Sequence, residues 1–331
     1  MITYKDAGVN LEAADKAVQI VKRILDKHGV SPSNFGLFGG FYRISSDRYL
    51  VSTVDGVGTK LKVAFMAGVH NTVGKDLVFH CSNDILVHGA EPAFFMDYIA
   101  LGKLDLDVFS EIMEGFASAC QEIGCVLLGG ETAEMPGFYK EGEYDLVGFM
   151  AGVVEEEYLI DGKSVKEGDL LIGLPSSGLH TNGYSLARKV IFEKLGLKVD
   201  SKLPYDDITV AEELLKVHRS YYPLLKEPVK RKWIKGMAHI TGGGIPGNLS
   251  RILPEGLRAV IDKTSWPIPE IFQFLVREAG IDEEEAFRTF NMGIGMILIS
   301  DKEELMDYLK KEGENFYVIG RIEKGEGVVI R

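Results

Sequence analysis

Tyr49-Leu50-Val51-Ser52-Thr53-Val54-Asp55-Gly56-Val57-Gly58-Thr59-Lys60 is the stretch from which the fold is read. Its first six residues are rich in β-branched and aromatic types, which marks a strand. Its last six hold two glycines, one acid, one hydroxyl and one lysine, which marks a turn. Glycines let the backbone approach a ligand closely, and exposed N–H groups between a strand end and a helix attract phosphate oxygens.

The same unit recurs. Ser176-Ser177-Gly178-Leu179-His180-Thr181-Asn182-Gly183 follows the strand-like run 170–174, and His239-Ile240-Thr241-Gly242-Gly243-Gly244 ends the segment 233–240. A fourth stretch, Gly129-Gly130-Glu131-Thr132-Ala133-Glu134-Met135-Pro136-Gly137, follows the apolar run Cys125 to Leu128 and reads as an acidic loop after a buried strand. Several phosphate-suited turns in one chain point to a polyphosphate or to two phosphorylated ligands.

Around these turns the apolar spacing alternates between periods. Strands are expected at 49–54, 93–100, 125–128, 144–153, 170–174, 257–262, 292–300 and 315–322. Helices are expected at 11–27, 73–88, 107–123, 184–195, 246–252, 267–279 and 302–311, with a polar helical region over 207–226. The fold class is therefore α/β, of α+β type. The break near Glu155-Glu156-Glu157, Asp161-Gly162 and Gly168-Asp169 divides the chain into two domains, 1–165 and 166–331. Phe35-Gly36-Leu37-Phe38-Gly39-Gly40-Phe41 reads either as a mobile lid or as a packed connector.

The chain has 331 residues, 46% of them hydrophobic, enough for two ordinary cores. Lys and Arg number 37 against 49 Asp and Glu, a net charge of -12 that repels nucleic-acid backbones. Cys81, Cys120 and Cys125 have no metal-ligand spacing and read as reduced core residues. With no signal-peptide pattern and no apolar run of membrane-spanning length, a cytoplasmic protein without nucleic-acid or membrane partners is expected.

Asp76, His80 and Asn83 share one face of the helix at 73–88, with Asp84 on its flank. Carboxylates in so apolar a segment need a cation or a lined site. Asp97, inside a strand, poses the same problem, and with Asp55 and Glu131 it would supply acids for magnesium beside a triphosphate. Lys60 is a cation for phosphate charge. His180 and His239, in glycine turns, suit phosphate contact or proton transfer. His28, His70 and His218 read as surface residues and His80 as structural. Neither a P-loop nor a dinucleotide fingerprint is present.

These segments, together with Tyr4 to Val9, Asn83 to Val87, Gly89-Ala90-Glu91-Pro92 and Phe290 to Met296, resemble the aminoimidazole ribonucleotide synthetase family, the phosphoribosylformylglycinamidine cyclo-ligases of purine biosynthesis. The match runs over nearly the whole chain. It implies ATP-dependent ring closure of formylglycinamidine ribonucleotide with Mg2+, through a phosphorylated amide. It further implies a homodimer whose N-terminal sheets pair across the axis into a β-barrel, and a C-terminal α/β sandwich. By the same resemblance, ATP would lie on Asp55, Gly56, Lys60, Asp76, Asn83, Asp84, Gly129, Gly130, Glu131 and Thr132, and metal on Asp55, Asp84 and Glu131. Lys60, Asp84 and His180 would be catalytic. The ribose phosphate would sit on Ser177, Thr181, Asn182, His239, Thr241, Gly242, Gly243 and Gly244. No role carries over to His80 or Leu179, where the family pattern has other residues. A small-molecule kinase of the same fold is the alternative.

Overall fold

The computed structural model describes residues 1–32 and 36–331 and, within them, every side chain but that of Asp15. In chain order the elements of the first half are α1 (Leu11–His28), β1 (Gly40–Arg43), β2 (Arg48–Gly56), α2 (Leu61–Ala67), α3 (Asn71–Leu86), β3 (Glu91–Leu101), α4 (Leu106–Ile123), β4 (Val126–Glu134) and β5 (Tyr144–Glu155). The second half has β6 (Leu170–Pro175), α5 (Tyr184–Arg188), α6 (Val210–Leu214), α7 (Tyr222–Lys230), β7 (Gly236–His239), α8 (Gly244–Leu249), β8 (Leu257–Ile261), α9 (Glu270–Ala279), α10 (Glu283–Thr289), β9 (Ile294–Ser300), α11 (Glu303–Lys311), β10 (Tyr317–Lys324) and β11 (Gly327–Ile330).

The first five strands form one sheet in the order β1-β2-β5-β3-β4, and the other six form a second sheet, β11-β8-β10-β6-β9-β7. In the first sheet, Val51, Phe95, Ile99 and Met150 turn toward α3 and α4 and are fully buried. The alternating residues Val54, Met96, Tyr98, Phe149, Val126 and Leu128 face outward uncovered, with Val54 at 64% exposure and Leu128 at 60%. A sheet that leaves this much apolar side chain in water on one face is built for a cover. Residues 1–9 lie against the second half: the Ile2 N–H donates to the Ala279 carbonyl and the Tyr4 N–H to Glu285.

Two helices are set by their caps. Asn10 accepts the Ala13 N–H at the start of α1, and Asp105 accepts the Asp107 and Val108 N–H groups at the start of α4. Along α1, Val21 and Ile24 stay exposed, so only part of its apolar stripe meets the body of the protein.

Two expectations fail here. Gly129 to Glu134 is not a loop but the greater part of β4, paired in parallel with β3 through a bulge between Phe95 and Met96. Extended glycines satisfy a ladder as well as any residue, and β4 is an edge strand with Val126 and Leu128 exposed rather than a buried run. The region 207–226 is not one helix either. It contains α6, an irregular segment at 215–221, and α7, which has a proline in its first turn. The irregular segment is held from outside: the His218 N–H donates to Asp76 and the Tyr221 N–H to Asn83.

Of the stretch expected to be a lid or a connector, Phe35 lies outside the described residues. The part that is described is packed. Phe38 is buried, the Arg251 guanidinium lies 5.1 Å above its ring, and the Gly39 N–H donates to His88 Nε2 at 3.2 Å. His88 Nδ1 in turn donates to the Ile160 carbonyl at 3.1 Å. Burial holds His88 neutral, with its pKa pushed down to about 4.

The linkage sign follows from that value. The ordinary histidine value of 6.5 falls to about 4 on folding, so the stabilisation is complete above 6.5 and is lost as pH drops through about 4. Acidification from pH 7 to 4 is therefore expected to lower the protection factor of the Gly39 amide in hydrogen exchange. The exchange should stay slow in the β3–β5 ladder. An unchanged Gly39 protection factor at pH 4 would contradict this.

Candidate active site

Three of the four glycine-bearing stretches converge on the seam between the two halves. β2 ends at Asp55 and Gly56, and one short turn later Lys60 enters the interior. Lys60 and Asp76 are both fully buried and ion-paired, with Nζ 2.9 Å from Oδ1. Nζ also donates to the carbonyls of His180 at 3.2 Å and Lys216 at 2.6 Å. All three ammonium hydrogens are thus used inside the protein. Burial pushes Lys60 down and Asp76 up, each opposed by the other's charge. Lys60, read from the sequence as a cation for phosphate charge, is instead turned inward onto Asp76.

One turn further along α3, His80 lies between two carboxylates. Its Nε2 is 3.0 Å from Asp55 Oδ2 and 3.7 Å from Asp84 Oδ2, and its Nδ1 bonds Thr181 Oγ1 at 2.8 Å. Burial alone would lower the His80 pKa, but Asp55 and Asp84 outweigh it and push it up to about 9. Asp55 is held low for the reciprocal reason, with the charge of His80 overcoming the effect of burial. Asp84 also accepts His239 Nδ1–H at 2.8 Å and the Thr53 hydroxyl at 3.3 Å.

The chain of bonds continues in the second half. His218 and His239 share a hydrogen bond between their Nε2 atoms at 2.9 Å, and the ring of His180 stacks on that of His218 with centroids 4.0 Å apart. Burial drives His180, His218 and His239 all below the ordinary histidine value. His180 has a left-handed backbone, φ 62, and its Nε2 accepts the Ser177 N–H at 3.1 Å. Gly295 leaves room for these groups: a Cβ there would lie 2.1 Å from the Tyr221 hydroxyl and 2.5 Å from the His180 ring.

His70 and His218, read from the sequence as surface residues, are both buried, and His218 is central to the seam. The signal was weak, since a histidine in a polar helical pattern looks solvated. Asn83 is a clasp, with Nδ2 donating to the Arg219 carbonyl and Oδ1 accepting the Tyr221 N–H. Ser177 Oγ donates to the Val217 carbonyl. Thr59 and Ser185 bridge the two halves at 3.0 Å.

Thr241, Gly242, Gly243 and Gly244 form a turn stitched by Asn248, whose Nδ2 donates to the carbonyls of Thr241, Gly242 and Gly244. Gly242 lies beside Asn182, so the two second-half turns meet. Gly242 and Gly243 open onto a groove of about 1320 Å³, shared with Arg251, Arg288, Gly36 and the Leu11–Val18 face of α1. The two arginines are candidate phosphate cations that the sequence reading passed over, because each sits in an ordinary polar context.

Gly129, Gly130, Glu131 and Thr132 do not join this group. They lie on β4, three strands away from β2. Glu131 is opposite Tyr98, whose side chain belongs to the uncovered face, whereas Asp55 faces α3. Within one chain, then, Asp55 and Asp84 meet but Glu131 stands apart. Asp97 shares a row with Asp55 across Gly148, and burial pushes its carboxyl up to about 6. No helix among the described residues is long and apolar enough to cross a membrane.

Two family models match the chain in succession. The family described as AIR synthase related protein matches with its N-terminal domain at residues 38–154 and its C-terminal domain at residues 166–331. The phosphoribosylformylglycinamidine cyclo-ligase of Caldicellulosiruptor saccharolyticus is 52% identical over 341 residues, covering 100% of this chain and 99% of its own length. The cyclo-ligase of Syntrophotalea carbinolica is 50% identical, covering 98% of this chain and 95% of its own length. Among solved structures, AaThiL complexed with AMPPCP and TMP is similar in fold, with a TM-score of 0.66 at 17% identity, over 95% of this chain and 92% of that one. T. maritima PurL complexed with FGAR has a TM-score of 0.62 at 16% identity, over 91% of this chain and 46% of that one.

Proposed function

The chain belongs to the AIR synthase related family, and from that premise we propose that it is an ATP-dependent cyclo-ligase of purine biosynthesis, closing formylglycinamidine ribonucleotide to aminoimidazole ribonucleotide with release of ADP and phosphate. The observation that carries the reading is the meeting of Asp55 and Asp84 from one half with the 177–183 and 239–244 turns of the other at a single seam. A formamide oxygen is a poor leaving group. In the proposed reaction ATP converts it to an iminophosphate, a substrate nitrogen attacks the formyl carbon, and phosphate leaves.

The residues divide by chemistry. Asp55, with 40% of its side chain exposed, and Asp84, pinned by His239, suit a hard divalent ion such as Mg2+. When bound, that ion would neutralise triphosphate charge. The 241–244 turn, with Asn182, Arg251 and Arg288 nearby, suits the ribose phosphate, since glycine amides and guanidinium forks both match its oxygens. Lys60 and His180 are positioning residues in this reading. Lys60 fixes the carbonyls of His180 and Lys216, and His180 fixes the 177–180 turn.

The uncovered apolar face of the first sheet suits a homodimer closed through that face as a β-barrel. Glu131 and the glycines of β4 would then lie near the axis. This would place any role of theirs in ATP binding near the interface rather than at the Asp55–Asp84 pair.

Incubation with formylglycinamidine ribonucleotide, ATP and Mg2+ tests the reaction. The expected outcome is imidazole product, ADP and free phosphate in equal amounts. Phosphate retained on a stable organic product would instead indicate a small-molecule kinase of the same fold.

A further inference from the structure

Strand β2 carries Asp55 near one end and Arg48 at the other, roughly 23 Å away along an extended strand. At the Arg48 end the two halves enclose a second cavity, of about 330 Å³, with the ends of β2, α3, β3 and β5 on one side and α7 on the other. That volume lies at the lower end of the ~300–1,000 Å³ span of small-molecule pockets. The reaction proposed above makes no use of it.

The floor of the cavity is apolar, with Leu86, Ala90, Val154 and Val229 all buried. Tyr158, from the connector between the halves, and Tyr222, at the start of α7, add two phenol rings. Gly89 sets the shape. Its φ is 80, and a Cβ there would collide with the Tyr158 carbonyl, so the connector can close over the end of α3 only on a glycine. The Lys232 ammonium, paired with Glu157, lies 5.1 Å from the centre of the Tyr158 ring and holds it in place.

The rim sets Arg48, Lys226 and Lys230 against Glu91 and Glu155, three cations against two acids, in a chain whose net charge is -12. Arg48 pairs with Glu155 at 3.4 Å and Lys230 with Glu91 at 2.7 Å. Lys226 is the cation left over: neither a salt bridge nor a hydrogen bond joins its ammonium to any described residue. The hydroxyls of Tyr158 and Tyr222 also make no hydrogen bond among the described residues. Burial pushes the Tyr222 hydroxyl above its ordinary value, so it stays a neutral donor.

We propose that this cavity is a binding site for a small planar aromatic carboxylate, its ring on the apolar floor and the two tyrosines, its acid group on Lys226. An apolar hollow with a few convergent polar groups is the usual form of such a site, and aromatic side chains add ring contacts to the area they bury. The charge balance selects the acid. A carboxylate meets the one unpaired cation, whereas a phosphate monoester, with about two negative charges at pH 7, would bring its second charge against Glu91 and Glu155.

The test titrates the full-length protein, methyl-labelled with 13C at valine and free of nucleotide and substrate, with 2-naphthoate. Saturable shifts are expected for the Val153, Val154 and Val229 methyl resonances, with a Kd of about 1 mM or tighter, the scale for a ligand of this size. 2-Naphthamide, which has the shape without the charge, should bind about 10-fold more weakly, and so should the acid to Lys226→Gln. Lys226 is exposed, so that variant keeps the fold. 2-Naphthyl phosphate should bind no tighter than the acid. Shifts confined to Val18 and Val328, which line the groove beside Gly242 and Gly243, would put the probe elsewhere and overturn the proposal. Equal affinity for acid and amide, parent affinity in Lys226→Gln, or tighter binding of the phosphate would overturn it too.

Discussion

Asparagine at position 84 is expected to abolish most ring closure, lowering kcat/KM by about 100-fold to 1,000-fold, the scale seen when one preorganised electrostatic group is removed from an active site. Asp84 is where the first half meets the second: His80, His239 and Thr53 all address its two oxygens. Asp84→Asn keeps the shape and one acceptor for His239 but removes the charge that a divalent ion and the neighbouring imidazole both require. The thermal midpoint should therefore change far less than the activity. Near-normal turnover in a folded Asp84→Asn protein would contradict the assignment of the site.

The second large effect is on stability. Lys60→Met is expected to destabilise the protein by about 3–5 kcal/mol, the range for breaking a buried ion pair by removing one partner. Asp76 would be left fully buried with no cation, and the carbonyls of His180 and Lys216 would lose their donor. The companion Lys60→Met/Asp76→Asn removes the stranded charge while keeping an acceptor for the His218 N–H. It should recover most of the loss in urea denaturation. A single variant as stable as the parent, or a double variant no better than the single, would show that the pair does not lock the two halves.

Much of this was legible in the chain. The period of α3 puts Asp76, His80 and Asn83 on one face, and the need to satisfy buried charge calls for a cation or a lined site there. The glycine turns after β2, β6 and β7 announced themselves by composition. What could not be read is pairing at long sequence separation. His218 meets Asp76 across 142 residues and Tyr221 meets Asn83 across 138, and no local period shows that such contacts will unwind an apparently helical segment. The run Gly129 to Glu134 misled for a different reason. Glycine and acid suggest a ligand loop by composition, but β3 offered a free edge, and an extended glycine pairs there at no steric cost. Lys60 was assigned to phosphate by its place after a glycine turn, whereas the fold turns it inward onto Asp76.

The reaction itself is tested most directly by the fate of one oxygen atom. With the formyl oxygen of the substrate labelled with 18O, attack of that oxygen on ATP makes the C–O bond the one that breaks when the ring closes. The account predicts one 18O atom in each inorganic phosphate released, in step with ADP and imidazole product and absent without substrate. Unlabelled phosphate accompanying imidazole formation, or label appearing in water instead, would contradict it.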